Sequence, residues 1–214
     1  MKIGIIDYGV GNLGSVMRAI EALRVTPVLV DRPMDMHNVD RLLLPGVGNF
    51  ADCAQLLHEG GWVDALHEEI QHRGKHLLGV CVGMQLLATS SMEGAQGAGE
   101  GDTPGLNLIP GKVEHLSTLG CSLRVPHSGW NNVSACAPER ELFEGIPDGT
   151  DFYFVHSYAF TPADPADVLA VTDYGVPVVA AVRRGRVWGT QFHPEKSSRA
   201  GFRLLRNFVE APEC

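Results

Sequence analysis

A chain of 214 residues, 44% of them hydrophobic, is long enough for one large domain with a substantial core. Its formal net charge of −8, with no basic block, argues against nucleic acid or an anionic membrane as the main partner, because both require clustered Lys and Arg. The five cysteines, Cys53, Cys81, Cys121, Cys136 and Cys214, are odd in number and never form C-x-x-C, so neither a disulfide framework nor a structural metal site is expected.

Residues 2–7 read as a strand, followed by a helix from about Asn12 with apolar residues at Leu13, Val16, Met17, Ile20 and Leu23, and then a second strand over 27–30. The strand runs directly from Met1 with no signal-peptide pattern, and no apolar run approaches membrane-spanning length, so a cytoplasmic location is expected. The turn between the first strand and helix contains Gly9, Gly11 and Gly14 in a G-x-G-x-x-G pattern, with Asp31 about 20 residues on, as a dinucleotide site would have. A glycine-rich turn also serves any sharp passage from strand to helix, so the pattern alone is weak.

A strand over 41–44 opens into Pro45-Gly46-Val47-Gly48, and helices follow with inward faces at Phe50, Cys53, Ala54 and Leu57 and at Val63, Leu66 and Ile70. A strand over 76–80 enters a helix over 84–88. Residues 91–105, with glycines at 94, 97, 99, 101 and 105, read as an exposed, mobile loop. Beyond it strands dominate, at 112–116, 130–135, 151–160, 168–174, 176–183 and 187–192, before a last helix over 199–209 with Ser197 or Ser198 as its cap. The expected fold is one α/β domain over 1–214, a mainly parallel central sheet flanked by helices with antiparallel strands added at an edge.

The segment Gly79-Val80-Cys81-Val82-Gly83 is the sulfur counterpart of the G-x-S-x-G nucleophile elbow. Its glycines let the chain turn tightly enough to raise Cys81 out of the sheet, and the Val82 amide follows as an oxyanion donor. A buried structural role is the commoner fate of a lone cysteine and is the one expected for Cys53. A nucleophile needs a base and a group to orient it. Pro194 biases His193 to extended geometry, where His193 and Glu195 share a side, so the carboxylate can fix the imidazole. His127 and His156 also flank strands but have no acid two residues on, and His58, His67 and His72 read as solvated positions on helices. The glycine loop at 46–48 exposes amides of which one can be a second oxyanion donor. Trp130 is a candidate docking anchor, its alternative being a core tryptophan.

Gly-x-Cys-x-Gly-Met-Gln at 79–85, Pro-Gly-Val-Gly-x-Phe at 45–50 and Gln-Phe-His-Pro-Glu-Lys-Ser at 191–197 together resemble the triad-type (class I) glutamine amidotransferases. Ile6-Asp7-Tyr8-Gly9-Val10-Gly11-Asn12-Leu13, Pro126-His127-Ser128-Gly129-Trp130-Asn131 and Phe152-Tyr153-Phe154-Val155-His156-Ser157-Tyr158 are similar to the glutaminase subunits of imidazole glycerol phosphate synthase, and the likeness runs from residue 5 to 208. The resemblance implies that Cys81 attacks the side-chain amide of glutamine, with His193 as base and then acid and Glu195 orienting it. It implies that Gly48, Gln85, Ser157 and Tyr158 hold the substrate, that the amides of Val47 or Gly48 and of Val82 form the oxyanion hole, and that no cofactor is needed. It implies delivery of ammonia to a separate cyclase subunit in histidine biosynthesis, met by Asn12, Trp130 and Asn131. The chain departs from the family at Val82, usually Leu, at Ser128, usually Met, and at 91–94, where an acidic pair is usual. On this basis the Gly9–Gly14 stretch is a tight turn near the partner-facing mouth and Asp31 an ordinary strand-end acid. The competing reading is a Cys-His-Glu hydrolase of the same fold acting on another small amide.

Overall fold

The apolar runs that open the chain become neighbours in a sheet because each is followed by an amphipathic helix that folds back over it. The computed structural model describes residues 1–94, 101–136 and 141–212. Its first half comprises β1 (Lys2–Ile6), α1 (Leu13–Ala22), β2 (Thr26–Val30), β3 (Arg41–Gly46), α2 (Phe50–Glu59), α3 (Trp62–His67), a π-helical turn at Glu68–His72, β4 (His76–Cys81) and α4 (Val82–Gln85). There follow β5 (Ser90–Ser91), β6 (Thr103–Pro104), β7 (Gly111–His115), β8 (His127–Ala135), β9 (Thr150–His156), β10 (Tyr158–Pro162), β11 (Val168–Asp173), β12 (Pro177–Arg184), β13 (Val187–Thr190) and α5 (Ser198–Glu210).

The main sheet runs β2-β1-β3-β4-β13-β12-β11-β8-β9, and a smaller one runs β10-β7-β5-β6. Strands β2, β1, β3, β4 and β13 are mutually parallel, and β12, β11, β8 and β9 continue the sheet antiparallel. Every residue of β3, β4 and β13 is buried, which is why these strands read as unbroken apolar runs and not as alternations. The expected α/β class, a central sheet flanked by helices with antiparallel strands added at an edge, is the one observed, although four antiparallel strands beside five parallel ones make the sheet mixed and not mainly parallel. Among the described residues no helix is long and apolar enough to cross a membrane.

Several boundaries differ from expectation. The run over 151–160 is two strands: β9 pairs with β8 in the main sheet, and after Ser157 the chain crosses into the small sheet, where β10 pairs with β7. Strand β8 starts at His127, because its register with β9 is continuous from His127 opposite His156 to Val133 opposite Thr150, so that pairing carries the strand through Gly129. The helix expected at 84–88 begins at Val82 and is a single turn. Strand β13 ends at Thr190, where the chain bends toward His193. Of the expected mobile loop, residues 95–100 lie outside the described residues. Its flanks are tied down, with β5 and β6 paired and Ser91 fully buried.

Candidate active site

In a parallel sheet the carboxyl ends of the strands lie together, and here β3, β4 and β13 end side by side, with Gly46 opposite Cys81 and Thr190 opposite Val80. Cys81 ends β4 at φ 57°, ψ −113°, a conformation that a non-glycine residue rarely adopts. The strain therefore sits on the cysteine itself. The framing glycines have ordinary φ values, and their role is space: a Cβ on Gly83 would lie 2.0 Å from the Leu44 carbonyl oxygen, and one on Gly79 2.5 Å from the Gly83 oxygen. Backbone packs on backbone around the elbow.

After β13 the chain passes through Gln191 and Phe192 to His193. His193 donates its backbone N–H to the Tyr153 carbonyl (2.9 Å), so the curled sheet brings β9, at its far edge in strand order, back against this segment. Phe192 anchors the approach, its ring 4.2 Å from that of Phe152. His193 Nδ1 is 2.8 Å from Glu195 Oε1, both side chains 3% exposed, and Cys81 and His193 line the same cavity. Burial lowers the imidazolium's pKa, but the hydrogen bonds and negative charge of Cys81 and Glu195 outweigh it and raise the value to about 9. The series thiol, imidazole, carboxylate can hold a proton at His193 near neutral pH, where it is placed for transfer to a leaving group.

Cys81 opens onto a cavity of about 340 Å³ lined by Val47, Gly48, Val82, Gln85, Ser157 and Tyr158, the backbone and side-chain groups expected around a substrate, together with Glu93, Lys196 and His193. Gln85 is buried, and its Nε2 donates to the Tyr158 carbonyl (2.9 Å) and to Gln191 Oε1 (3.0 Å), which ties the elbow helix to the segment after β9. Gly48 adopts φ +91° with nothing near its missing side chain. The Cys53 thiol donates to the Val47 carbonyl (3.5 Å), so the planar peptide that follows turns the Gly48 N–H away from Cys53. Burial raises the Cys53 thiol's pKa and keeps it a neutral donor, in line with the structural role expected for it.

His127 and His156 are buried and bonded to each other, Nδ1 to Nε2 at 2.9 Å. His156 Nδ1 is 2.8 Å from the Tyr158 carbonyl, which requires a proton there. His127 Nδ1 must then donate to His156, and its Nε2 accepts from Asn131 Nδ2 (3.2 Å). Both rings are thereby neutral. Burial holds His127 at a pKa of about 4 and, with repulsion from His127 and His193, His156 at about 3. Unfolded imidazoles titrate near 6.5, so between about pH 6.5 and 4 the unfolded chain binds more protons, and the stability these two rings contribute above that window is lost as pH falls. His193, raised to about 9, works in the opposite sense: its contribution is full below about pH 6.5 and disappears as pH rises through 9. Thermal melts should therefore peak near neutral pH, and a His127→Gln variant should show a flatter acid limb. An acid limb of unchanged slope would remove the histidine pair as its cause.

Comparison with known proteins follows the same lines. The family model described as glutamine amidotransferase class-I matches residues 4–211. The chain belongs to the class-I glutamine amidotransferase family. It is 46% identical over 208 residues to imidazole glycerol phosphate synthase subunit HisH of Moorella thermoacetica, covering 97% of this chain and 94% of that one, and 45% identical to the subunit of the same name from Rhodospirillum rubrum, covering 98% of each. A crystal structure of a glutamine amidotransferase shares the fold at TM-score 0.73 and 22% identity over 97% of both chains, and the PurLQS structure from Thermotoga maritima does so at 0.69 and 16%, again over 97% of each.

Around this amidotransferase site the partner candidates fall apart in character. Trp130 is 54% exposed and not a core residue, resting edge-on against Tyr153 at 6.0 Å, and Lys196 Nζ lies 5.8 Å over the same Tyr153 ring. Asn131 is half-buried and engaged with His127 and the Asp173 carbonyl. Asn12 is exposed at the start of α1 and lines a void of about 10 Å³ shared with His193 and Glu195, too small for a phosphate. The Gly9–Gly14 turn instead places Tyr8, whose hydroxyl donates to the Pro45 carbonyl (3.0 Å) and steadies the start of the glycine loop.

Sequence reasoning missed Glu93, Lys196 and Ser197. Glu93 and Lys196 line the cavity, although the sequence around Glu93 reads as an exposed loop. Ser197 does not cap α5 with its side chain. Its hydroxyl accepts from the Tyr153 N–H (3.0 Å) and donates to the His193 carbonyl (2.6 Å), a clamp that only the strand's return to this turn creates. Ser197→Ala leaves the part-buried Tyr153 amide unpaired and removes one of the two donors to the His193 carbonyl, which keeps the Lys196 N–H (3.1 Å), so we expect a loss of about 1 kcal/mol in urea melts and a fall in kcat with KM little changed. A KM effect alone would mean that Ser197 does not position His193.

Proposed function

We propose that this chain is the cytoplasmic glutaminase subunit of an imidazole glycerol phosphate synthase, hydrolysing glutamine to glutamate and ammonia and passing the ammonia to a separate cyclase subunit. The observation that carries the chemistry is a cavity of about 340 Å³, the lower range for small-molecule sites, lined by both Cys81 and His193, with His193 held by the buried Glu195 at 2.8 Å. The assignment within the family is supported by the extent and identity of the HisH relatives.

Cys81 sulfur attacks the glutamine side-chain carbonyl carbon. The resulting oxyanion is met by the Val82 N–H, which follows Cys81 into the first turn of α4, and by an N–H of the 47–48 loop, that of Val47 or of Gly48. His193 gives its proton to the departing nitrogen, ammonia leaves, and a γ-glutamyl thioester remains. Water then attacks the thioester carbon with His193 taking its proton, and the C–S bond breaks to give glutamate. Glu195, hydrogen-bonded to Nδ1, keeps the imidazole in one orientation through both halves. Among the described lining residues Glu93 is the one carboxylate and Lys196 the one ammonium, which suits them to the α-ammonium and α-carboxylate of a zwitterionic amino acid.

The test is a titration of glutamine hydrolysis against a purified cyclase subunit, with and without the cyclase's nucleotide ligand. We expect a weak rate alone that rises on complex formation, and a Trp130→Ala variant with the same unassisted rate but binding weakened by about 2 kcal/mol. No stimulation by the cyclase, or efficient turnover of another amide without labelling of Cys81 by a glutamine-analogue alkylator, would replace this reading with that of a separate Cys-His-Glu hydrolase.

A further inference from the structure

We propose that the side-chain carboxamide of Gln191 is a further catalytic group, which donates an N–H to the Cys81 sulfur. This role rests on the thioester route above, in which that sulfur is the reacting atom. Gln191 follows directly on β13, whose last residue, Thr190, lies opposite Val80 of β4, so its side chain starts beside the elbow. The residue is completely buried, and its backbone N–H donates to the Ala180 carbonyl of β12 (2.9 Å). Its Nε2 lies 3.9 Å from Cys81 Sγ.

The direction of the carboxamide follows from its neighbours. A backbone carbonyl can only accept, so the Gln85 atom 2.9 Å from the Tyr158 oxygen must be its nitrogen. The second hydrogen of that nitrogen meets Gln191 at 3.0 Å, so the Gln191 atom there must be its oxygen. The Gln191 nitrogen is then the atom turned to the sulfur. A flipped carboxamide would set two donors against each other at Gln85. One backbone oxygen, itself bonded to His156 Nδ1 (2.8 Å), thereby orients two side-chain amides in turn, and the second of them faces the thiol. Packing alone does not call for this group, since a buried amide costs free energy unless its polar atoms are bonded, and an apolar side chain would carry no such cost.

The resting thiol donates to the Val155 carbonyl (3.9 Å) and accepts from Gln191. With its proton passed to His193, the sulfur gives an electron pair to the glutamine carbonyl carbon. When water, losing a proton to His193, has added to the thioester carbon, the C–S pair returns to sulfur and the proton follows it from His193. At both moments the Val155 carbonyl has lost the proton it accepts and can only repel electron density on sulfur, whereas the Gln191 N–H attracts it. Hydrogen bonds to charged atoms are shorter than neutral ones, so a separation of 3.9 Å in the resting chain leaves room for this contact to tighten as the C–S bond forms and breaks.

The experiment compares Gln191→Glu and Gln191→Met with the parent, each as the full chain. Gln191→Glu keeps an oxygen to accept from Gln85 and removes the N–H facing sulfur, so a role confined to holding Gln85 would leave its kcat at the parent value. We expect kcat for glutamine to fall by roughly tenfold to a hundredfold, the worth of one hydrogen bond to a charged atom, with KM little changed. Iodoacetamide needs no glutamine site, but the sulfur must give up its proton before it reacts, so alkylation of Cys81 should slow in both variants by a similar factor. A parent-like kcat in Gln191→Glu, an effect on KM alone, or alkylation of Gln191→Met at the parent rate would each overturn the proposal. Should Gln191→Glu not fold, Gln191→Met, which adds no charge, decides. Because alkylation is read without glutamine, it settles the role of Gln191 even if another amide proves to be the substrate, whereas turnover that survives Cys81→Ala would remove the thioester route itself.

Discussion

Cys81→Ala is expected to lower glutamine hydrolysis by at least about four orders of magnitude, with the thermal melt left close to that of the parent chain. The loss is large because no other thiol can substitute: Cys53 is held in the core on the Val47 carbonyl, and among the described cysteines Cys81 alone lines the cavity. His193→Gln should cost a comparable factor for a different reason, and alkylation tells the two apart. In the parent chain the imidazole is protonated up to about pH 9, because Cys81 and Glu195 hold it so against the opposing effect of burial. In His193→Gln iodoacetamide should react with Cys81 more slowly at pH 7, because the imidazole that could take the thiol's proton is gone. A rate of alkylation unmoved by that substitution would detach the ring from the sulfur and leave the proposed chemistry without a base, and normal turnover in Cys81→Ala would remove the nucleophile.

The elements around Cys81 were legible because the parallel core writes itself locally: a fully buried strand is an apolar run, and an elbow is a run ended by two glycines around one reactive side chain. The passage from β9 to β10 was not, since Phe152, Phe154 and His156 are buried in one sheet and Ala159, Phe160 and Pro162 in another, with no glycine or proline and only Ser157 between them. Only the partner strands decide where one sheet ends. The same holds for Ser197, which looks like a helix cap in sequence and becomes a clamp because β9 returns to it. Glu93 was hidden by its glycine-rich surroundings, although its carboxylate accepts the Phe50 N–H (3.0 Å) at the start of α2. Its pKa is raised by burial and then by Asp52, a direction no local pattern carries.

Gly83→Ala should destabilise the chain by about 3 kcal/mol or more and, at temperatures where the variant is still folded, lower kcat by roughly a further hundredfold. The added methyl would sit 2.0 Å from the Leu44 oxygen and 3.0 Å from its carbon, atoms of a central, fully buried strand that cannot rotate aside as a side chain would. Relief requires β3 and the elbow to separate, and three things move with that separation: Cys81, the Val82 N–H and the Gly46 end of the glycine loop, whose own Cβ position lies 2.5 Å from the Gly83 nitrogen. Stability and catalysis are thus linked through one backbone contact, which distinguishes this substitution from a loss of packing elsewhere. Gly101→Ala provides the contrast, because among the described residues a methyl there meets nothing within 4 Å, and its effect should stay within about 0.5 kcal/mol. If Gly83→Ala melted like Gly101→Ala and kept full activity, the close approach of β3 to the elbow could not be what holds the thiol and the oxyanion donor in place.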